Sequence, residues 1–169
     1  MRFVFRIWNL IKRAWHKLVY VPVMKMQLGS HGSHVNIGKG ARGTWENVHT
    51  GSYVSIGVNC LLLSTRAQIK IGDYVMFGPN VVIAAATHPL LPEQRNSGFE
   101  FGRPVTIGNN VWLGAGVVVN PGVTIGDTAV IGSGSVVTKD IPPDVLAVGI
   151  PCRVLRPITE ADRMEMGRP

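Results

Sequence analysis

Five histidines and two cysteines are the obvious reactive groups in this 169-residue chain, and their positions separate them sharply. Cys60 and Cys152 stand alone. No CxxC pair suggests a zinc site, neither cysteine has the local signature of a nucleophile, and two thiols cannot make a disulfide framework. That usage fits a reducing, cytoplasmic setting. His16 falls in an amphipathic segment, and His31, His34 and His49 lie in a stretch of poor regularity; each reads as a surface or hydrogen-bonded histidine. His88 is different. It stands at the root of residues 89–104, a polar run punctuated by Gly and Pro that interrupts an otherwise regular pattern. A group placed where a rigid frame meets a mobile cover is well sited for catalysis. An imidazole titrates near ~6.5 in water, so at neutral pH it can take a proton from an attacking hydroxyl and hand it to a departing group.

The frame is a repeat with a period of six. Ile107, Leu113, Val119, Ile125, Ile131 and Val137 are evenly spaced, and Gly108, Gly114, Gly126 and Gly132 follow four of them. Two residues before each stands a small or β-branched residue: Val105, Val111, Val117, Val123, Ala129 and Ser135. The same beat runs through Ile69 and Ile71, Val75 and Phe77, Val81 and Ile83, and more faintly through Ile37-Gly38 and Ile56-Gly57. A six-residue period suits a short strand plus a turn, with one aliphatic residue per repeat pointing inwards and Gly or Asn at the corner. Stacked turns then bury a continuous aliphatic column, worth about 0.8 kcal/mol per methylene. A sandwich would space its strands by about 8–12 residues, which excludes that fold. From Ile83 to Ile107 the phase is kept while the signature disappears, so residues 89–104 read as a loop extruded from the coil.

Composition and charge narrow the classes further. With 46% hydrophobic and 16% charged residues, 20 Gly and 11 Pro, the chain is a turn-rich folded domain rather than a disordered one. The net charge of +7 is concentrated at one end. Residues 1–45 hold Arg2, Arg6, Lys12, Arg13, Lys17, Lys25, Lys39 and Arg42 and no acid; the remainder is nearly neutral. A neutral body with a basic segment is not a nucleic-acid-binding body. At about 100° per residue, Arg2, Arg6, Arg13 and Lys17 of residues 2–19 share one narrow arc. Phe3, Val4, Ile7, Trp8, Leu10, Ile11, Ala14, Trp15, Leu18 and Val19 fill the opposite half, and only Phe5 is misplaced. No apolar run reaches the roughly 18–20 residues that span a bilayer, and none has the form of a secretory signal. Two readings of this helix stand: its apolar face packs within an oligomer, or it lies on an anionic membrane with Trp8 and Trp15 at headgroup level. Pro22 is expected to end or bend it.

Across residues 70–156 the chain resembles the hexapeptide-repeat acyltransferases, most of all the galactoside, maltose and polysaccharide O-acetyltransferases. The resemblance rests on Gly78-Pro79-Asn80, Thr87-His88-Pro89, Ile107-Gly108-Asn109-Asn110-Val111-Trp112, the run Asn120 to Asp127, the run Val136 to Pro143, and Gly149-Ile150-Pro151-Cys152-Arg153-Val154, in the family's order. It implies an all-β fold, a left-handed parallel β-helix with three hexapeptides per coil. Residues 1–25 would be the N-terminal helical segment, 26–156 the β-helix with its extruded loop, and 157–169 a tail. It implies a homotrimer with sites between subunits, acetyl-CoA as co-substrate, no metal, and a sugar hydroxyl as acceptor.

On that resemblance His88 is the general base. Ala115 stands where some relatives carry serine, so only its main-chain N–H remains to stabilise the oxyanion of the tetrahedral intermediate. Ser133, Thr138, Lys139, Arg153 and Arg156 match cofactor-contacting positions, the cations suiting its phosphates, and Trp112 matches a wall of the pantetheine channel. Cys152 looks structural. Relatives acting on simple sugars carry polar or acidic residues where this chain has Ser64-Thr65-Arg66, which with the basic N-terminus favours a lipid-carried surface-polysaccharide precursor over a free sugar or an antibiotic. A zinc-dependent hydratase on a similar coil would need three imidazoles, and His49 and His88 are too scattered. A purely structural or surface-binding β-helix would show one flat face of identical residues, and the outward positions here are mixed.

Overall fold

The computed structural model describes residues 1–164, leaving the last five residues of the C-terminal tail, and the side chains of Arg2 and Phe3 in the amphipathic segment, outside the description. Its body is a parallel β-solenoid with three faces. The first face stacks Ser30–His31, Val48–Thr50, Ile69–Ile71, Val105–Ile107 and Thr124–Ile125. The second stacks Asn36–Ile37, Ser55–Ile56, Met76–Phe77, Trp112–Leu113, Val130–Ile131 and Val145–Gly149, then closes with the antiparallel strand Cys152–Pro157. The third stacks Arg42–Gly43, Leu61–Leu63, Val82–Ala84, Val118–Val119 and Val136–Val137. Thr106 pairs with Thr124 and Val118 with Val136, so one turn of the solenoid consumes three hexapeptides.

The six-residue beat is the core. Ile107, Leu113, Val119, Ile125, Ile131 and Val137 are all buried, as are their partners two residues earlier. Ser135, the one polar member, donates to Gly132 O at 2.7 Å and accepts from Gly149 N–H at 3.0 Å, which removes the cost of burying its hydroxyl. Coils approach so closely at the corners that a Cβ on Gly114 would stand 2.6 Å from Ser133 N. Asn80 and Asn110 turn other corners with φ of 59° and 55°, a region that Asn tolerates better than most residues.

Residues 2–25 form one helical stretch: α-helix at Arg2–Trp15, a π turn at His16–Tyr20, and α-helix again at Val21–Lys25. Pro22 therefore does not end the helix. The π turn closes just before it, with Val21 N–H bonded to His16 O, and Pro22 sits in the first turn of the next segment, where a missing N–H costs least. Residues 89–104 are likewise more ordered than a plain loop. Ala86–Thr87 and Phe101–Gly102 pair antiparallel, and a short helix, Pro92–Asn96, caps the arm between them.

Candidate functional site

His88 follows directly on the strand Ala86–Thr87 and stands at the base of this arm. The antiparallel register pairs Ala86 with Gly102 and Thr87 with Phe101, so the next opposed pair is His88 and Glu100. Their side chains meet at 3.9 Å between Nε2 and Oε1, too long for a hydrogen bond but close enough for an ion pair once the imidazole is protonated. The other carboxylate oxygen of Glu100 accepts from Arg66 Nε at 3.2 Å. His88 is 57% exposed and the Glu100 side chain 28%, so the imidazole is open to solvent while the carboxylate opposite it is half-covered. Neither Glu100 nor the role of Arg66 as its anchor is legible from spacing, since eleven residues without the hexapeptide period separate His88 from Glu100.

The four other histidines are occupied elsewhere. His49 Nδ1 lies 2.9 Å from Ser30 Oγ and His31 Nδ1 2.7 Å from Gly32 O, while His34 stacks on Tyr53 and His16 on Tyr20. Among the described residues no cluster of three or more His, Cys, Asp or Glu could hold a metal ion. Cys60 and Cys152 are free and buried, and desolvation raises both thiols above their ordinary range, the opposite of what an attacking thiolate needs.

The remaining residues singled out from the sequence divide between two edges of the prism. Thr138 and Lys139 follow the third-face strand Val136–Val137, on the edge that carries Arg66 and His88. Trp112 lies outward and exposed on the second face, and Ala115 and Ser133 turn the corner from the second face to the third. Arg153 and Arg156 belong to the last second-face strand, opposite Val148 and Leu146. One chain thus brings His88 and Lys139 to one edge and places Trp112, Ala115, Ser133, Arg153 and Arg156 along another face.

Three of these groups have specific partners. Ala115 N–H donates to Ser133 Oγ at 3.1 Å, so both are already joined across one coil. Arg153 donates to Cys152 O at 2.7 Å, its guanidinium remaining exposed. Arg156 grips Asp162 with both terminal nitrogens, at 2.8 and 2.5 Å. Those bonds, with a further one from Thr159 N–H, hold the Asp162 carboxyl down at about 2. A depressed carboxyl keeps its pair above the ordinary Asp range and loses it only as pH falls through about 2, so the fork is closed at neutral pH. Among the described residues no carboxylate pairs with Lys139 or Arg153.

Glu100→Gln should lower kcat about tenfold, since a charge 4 Å from a forming imidazolium is worth ~1–4 kcal/mol in partly solvated protein and Arg66 offsets part of it. The check is a kcat comparison at fixed pH.

Comparison with known proteins adds to this geometry. Residues 104–139 match the family described as bacterial transferase hexapeptide (six repeats). The chain is 49% identical over 117 residues to the galactoside O-acetyltransferase of Escherichia coli, covering 69% of this chain and 57% of that protein. It therefore spans little more than half the length of such curated relatives. The structure of a maltose O-acetyltransferase from Clostridium difficile superposes with a TM-score of 0.77 at 47% identity, over 82% of this chain and 74% of the other. A galactoside acetyltransferase in complex with coenzyme A superposes with a TM-score of 0.77 at 38% identity, over 87% and 74%.

Proposed function

The chain belongs to the hexapeptide-repeat transferases, and from that membership we propose that it transfers an acetyl group from acetyl-CoA to a sugar hydroxyl in surface-polysaccharide biosynthesis, on the cytoplasmic side of the membrane. The observation that carries the reading is His88, exposed at the root of the ordered arm with Glu100 opposite its Nε2. The acceptor hydroxyl gives its proton to the neutral imidazole as its oxygen attacks the thioester carbon. The resulting imidazolium is stabilised by Glu100, and the proton passes to the departing thiolate of coenzyme A. The main-chain N–H of Ala115 supplies the donor for the oxyanion, with Ser133 Oγ giving up its hold on it.

The division of the site between two edges favours a homotrimer, in which the His88 edge of one subunit faces the Trp112 and Ala115 corner of its neighbour. A slender solenoid alone offers walls but no enclosed cleft. The acceptor reading rests on the basic N-terminal segment and on Ser64-Thr65-Arg66, which favour a sugar carried on a phosphorylated lipid; a free sugar is the second reading, favoured by the galactoside and maltose O-acetyltransferase relatives. The test is acetyl-CoA consumption against free and lipid-linked sugars, with the active species sized by sedimentation. Transfer to lipid-linked acceptors by a trimer is the expected result; transfer to free sugars alone would move the acceptor to the second reading.

Cofactor affinity should depend on Lys139 and Arg153 more than on Arg156, whose fork Asp162 occupies. Lys139→Ala and Arg153→Ala should each raise KM for acetyl-CoA about tenfold, the worth of a charge-assisted hydrogen bond, and Arg156→Ala less. Equal losses of affinity for dephospho-coenzyme A would show that the lost contact is not to that phosphate.

A further inference from the structure

The exposed half of the N-terminal helix has no counterpart in the chemistry above. Val4, Ile7, Trp8, Ile11, Trp15 and Leu18 lie on one side of the helix and are 43–72% exposed. The body does not cover them because the helix leans on it by its polar side. Up to residue 20 the half-buried residues are Asn9, His16 and Tyr20, followed by Val21, Met24 and Lys25, and the Tyr20 hydroxyl reaches Gly38 O at 3.4 Å. The solenoid thus leaves Val4, Ile7 and Leu18 turned outwards, while Trp8, Ile11 and Trp15 edge an open groove against Gly38 and Val58 and stay more than half exposed. A contiguous exposed apolar stripe of this kind marks a docking surface.

We infer that this stripe docks on the surface of an anionic lipid bilayer, lying in the interface rather than crossing it. The charge on the page selects that occupant. Arg6, Arg13 and Lys17 are exposed on the opposite, polar half of the helix, Lys12 borders the stripe and sits over Trp8 at 5.0 Å, and residues 1–45 contain eight Lys or Arg and no acid. A second copy docked stripe to stripe would press two such basic segments together, whereas anionic headgroups complement them. No helix among the described residues is long and apolar enough to cross a membrane. An amphipathic helix with a cationic border and tryptophans on its apolar side is built for the headgroup boundary. The inference is independent of the chemistry at His88 and is read without measuring activity.

The experiment uses the full chain with vesicles of phosphatidylcholine alone and of phosphatidylcholine with 30% phosphatidylglycerol. The intact protein should sediment with the anionic vesicles at low salt, its tryptophan emission shifting to the blue, and should leave the neutral ones in solution. Arg6→Gln with Arg13→Gln should weaken binding about thirtyfold, two cations at the surface. Ile11→Glu with Leu18→Glu should abolish it while leaving the thermal transition and the oligomer size unchanged, since both residues are more than half exposed. Equal binding to neutral and anionic vesicles, or none, would overturn the inference. So would an Ile11/Leu18 variant that still binds vesicles or that dissociates the oligomer, the mark of a stripe buried by a second copy.

Discussion

Replacing His88 with alanine is expected to lower kcat by about 10²–10⁴ while the affinity for acetyl-CoA stays nearly constant. The size follows from the work assigned to the imidazole. A sugar hydroxyl cannot attack a thioester at neutral pH without losing its proton on the way, and among the described residues His88 is the exposed imidazole at the arm root. Glu100 alone cannot replace it, since Arg66 already holds one of its oxygens. The constancy of binding follows from position: Arg153 lies on the last second-face strand, away from the arm, and Lys139, although on the His88 edge, follows a strand two coils beyond Val82–Ala84. His88→Gln keeps a hydrogen-bonding side chain of similar reach and should be nearly as impaired, which separates proton transfer from packing. Near-full turnover in either variant would remove the base from His88.

The second large effect concerns the column that carries the site. Leu113→Ala should destabilise the folded chain by about 2–5 kcal/mol. Leu113 is fully buried, registered between Phe77 of one coil and Ile131 of another. The stacked coils above and below are pinned by main-chain bonds, such as Gly114 N–H to Ile131 O at 2.8 Å, so they cannot collapse into the space a smaller side chain leaves. The measurement is the urea midpoint, expected to fall with an unchanged slope. Because Trp112 and Ala115 flank Leu113 in sequence, KM for acetyl-CoA should rise in the same variant at temperatures where it is still folded. A midpoint within the scatter of surface substitutions, about ±0.5 kcal/mol, would mean that the column does not bear on closure of the coil.

The solenoid and the amphipathic helix were legible in the residues because both are periodic. Each coil repeats the contacts of the one before it, so Ile107, Leu113 and Val119 announce the same inward direction every sixth residue. The helix sorts Arg6 from Ile11 by angle alone. The place of His88 was also legible, as the point where that period falls silent. What remained hidden are the events that occur once. Glu100 meets His88 only because the arm folds back in one antiparallel register, and a register is set by turn geometry that the polar run 89–104 does not reveal. Arg156 matches a cofactor-contacting position by resemblance, but the Thr159–Asp162 turn places a carboxylate in its fork. Pro22 reads as a residue that ends or bends a helix, and only the π turn before it shows how the helical stretch runs on. Which side of the N-terminal helix faces the body follows from the docking of Tyr20 over Gly38, a long-range contact with no local signature. Periodic burial is written into every repeat and survives in the sequence as a rhythm; a single contact between distant segments leaves no rhythm, and exists only once the chain has closed around it.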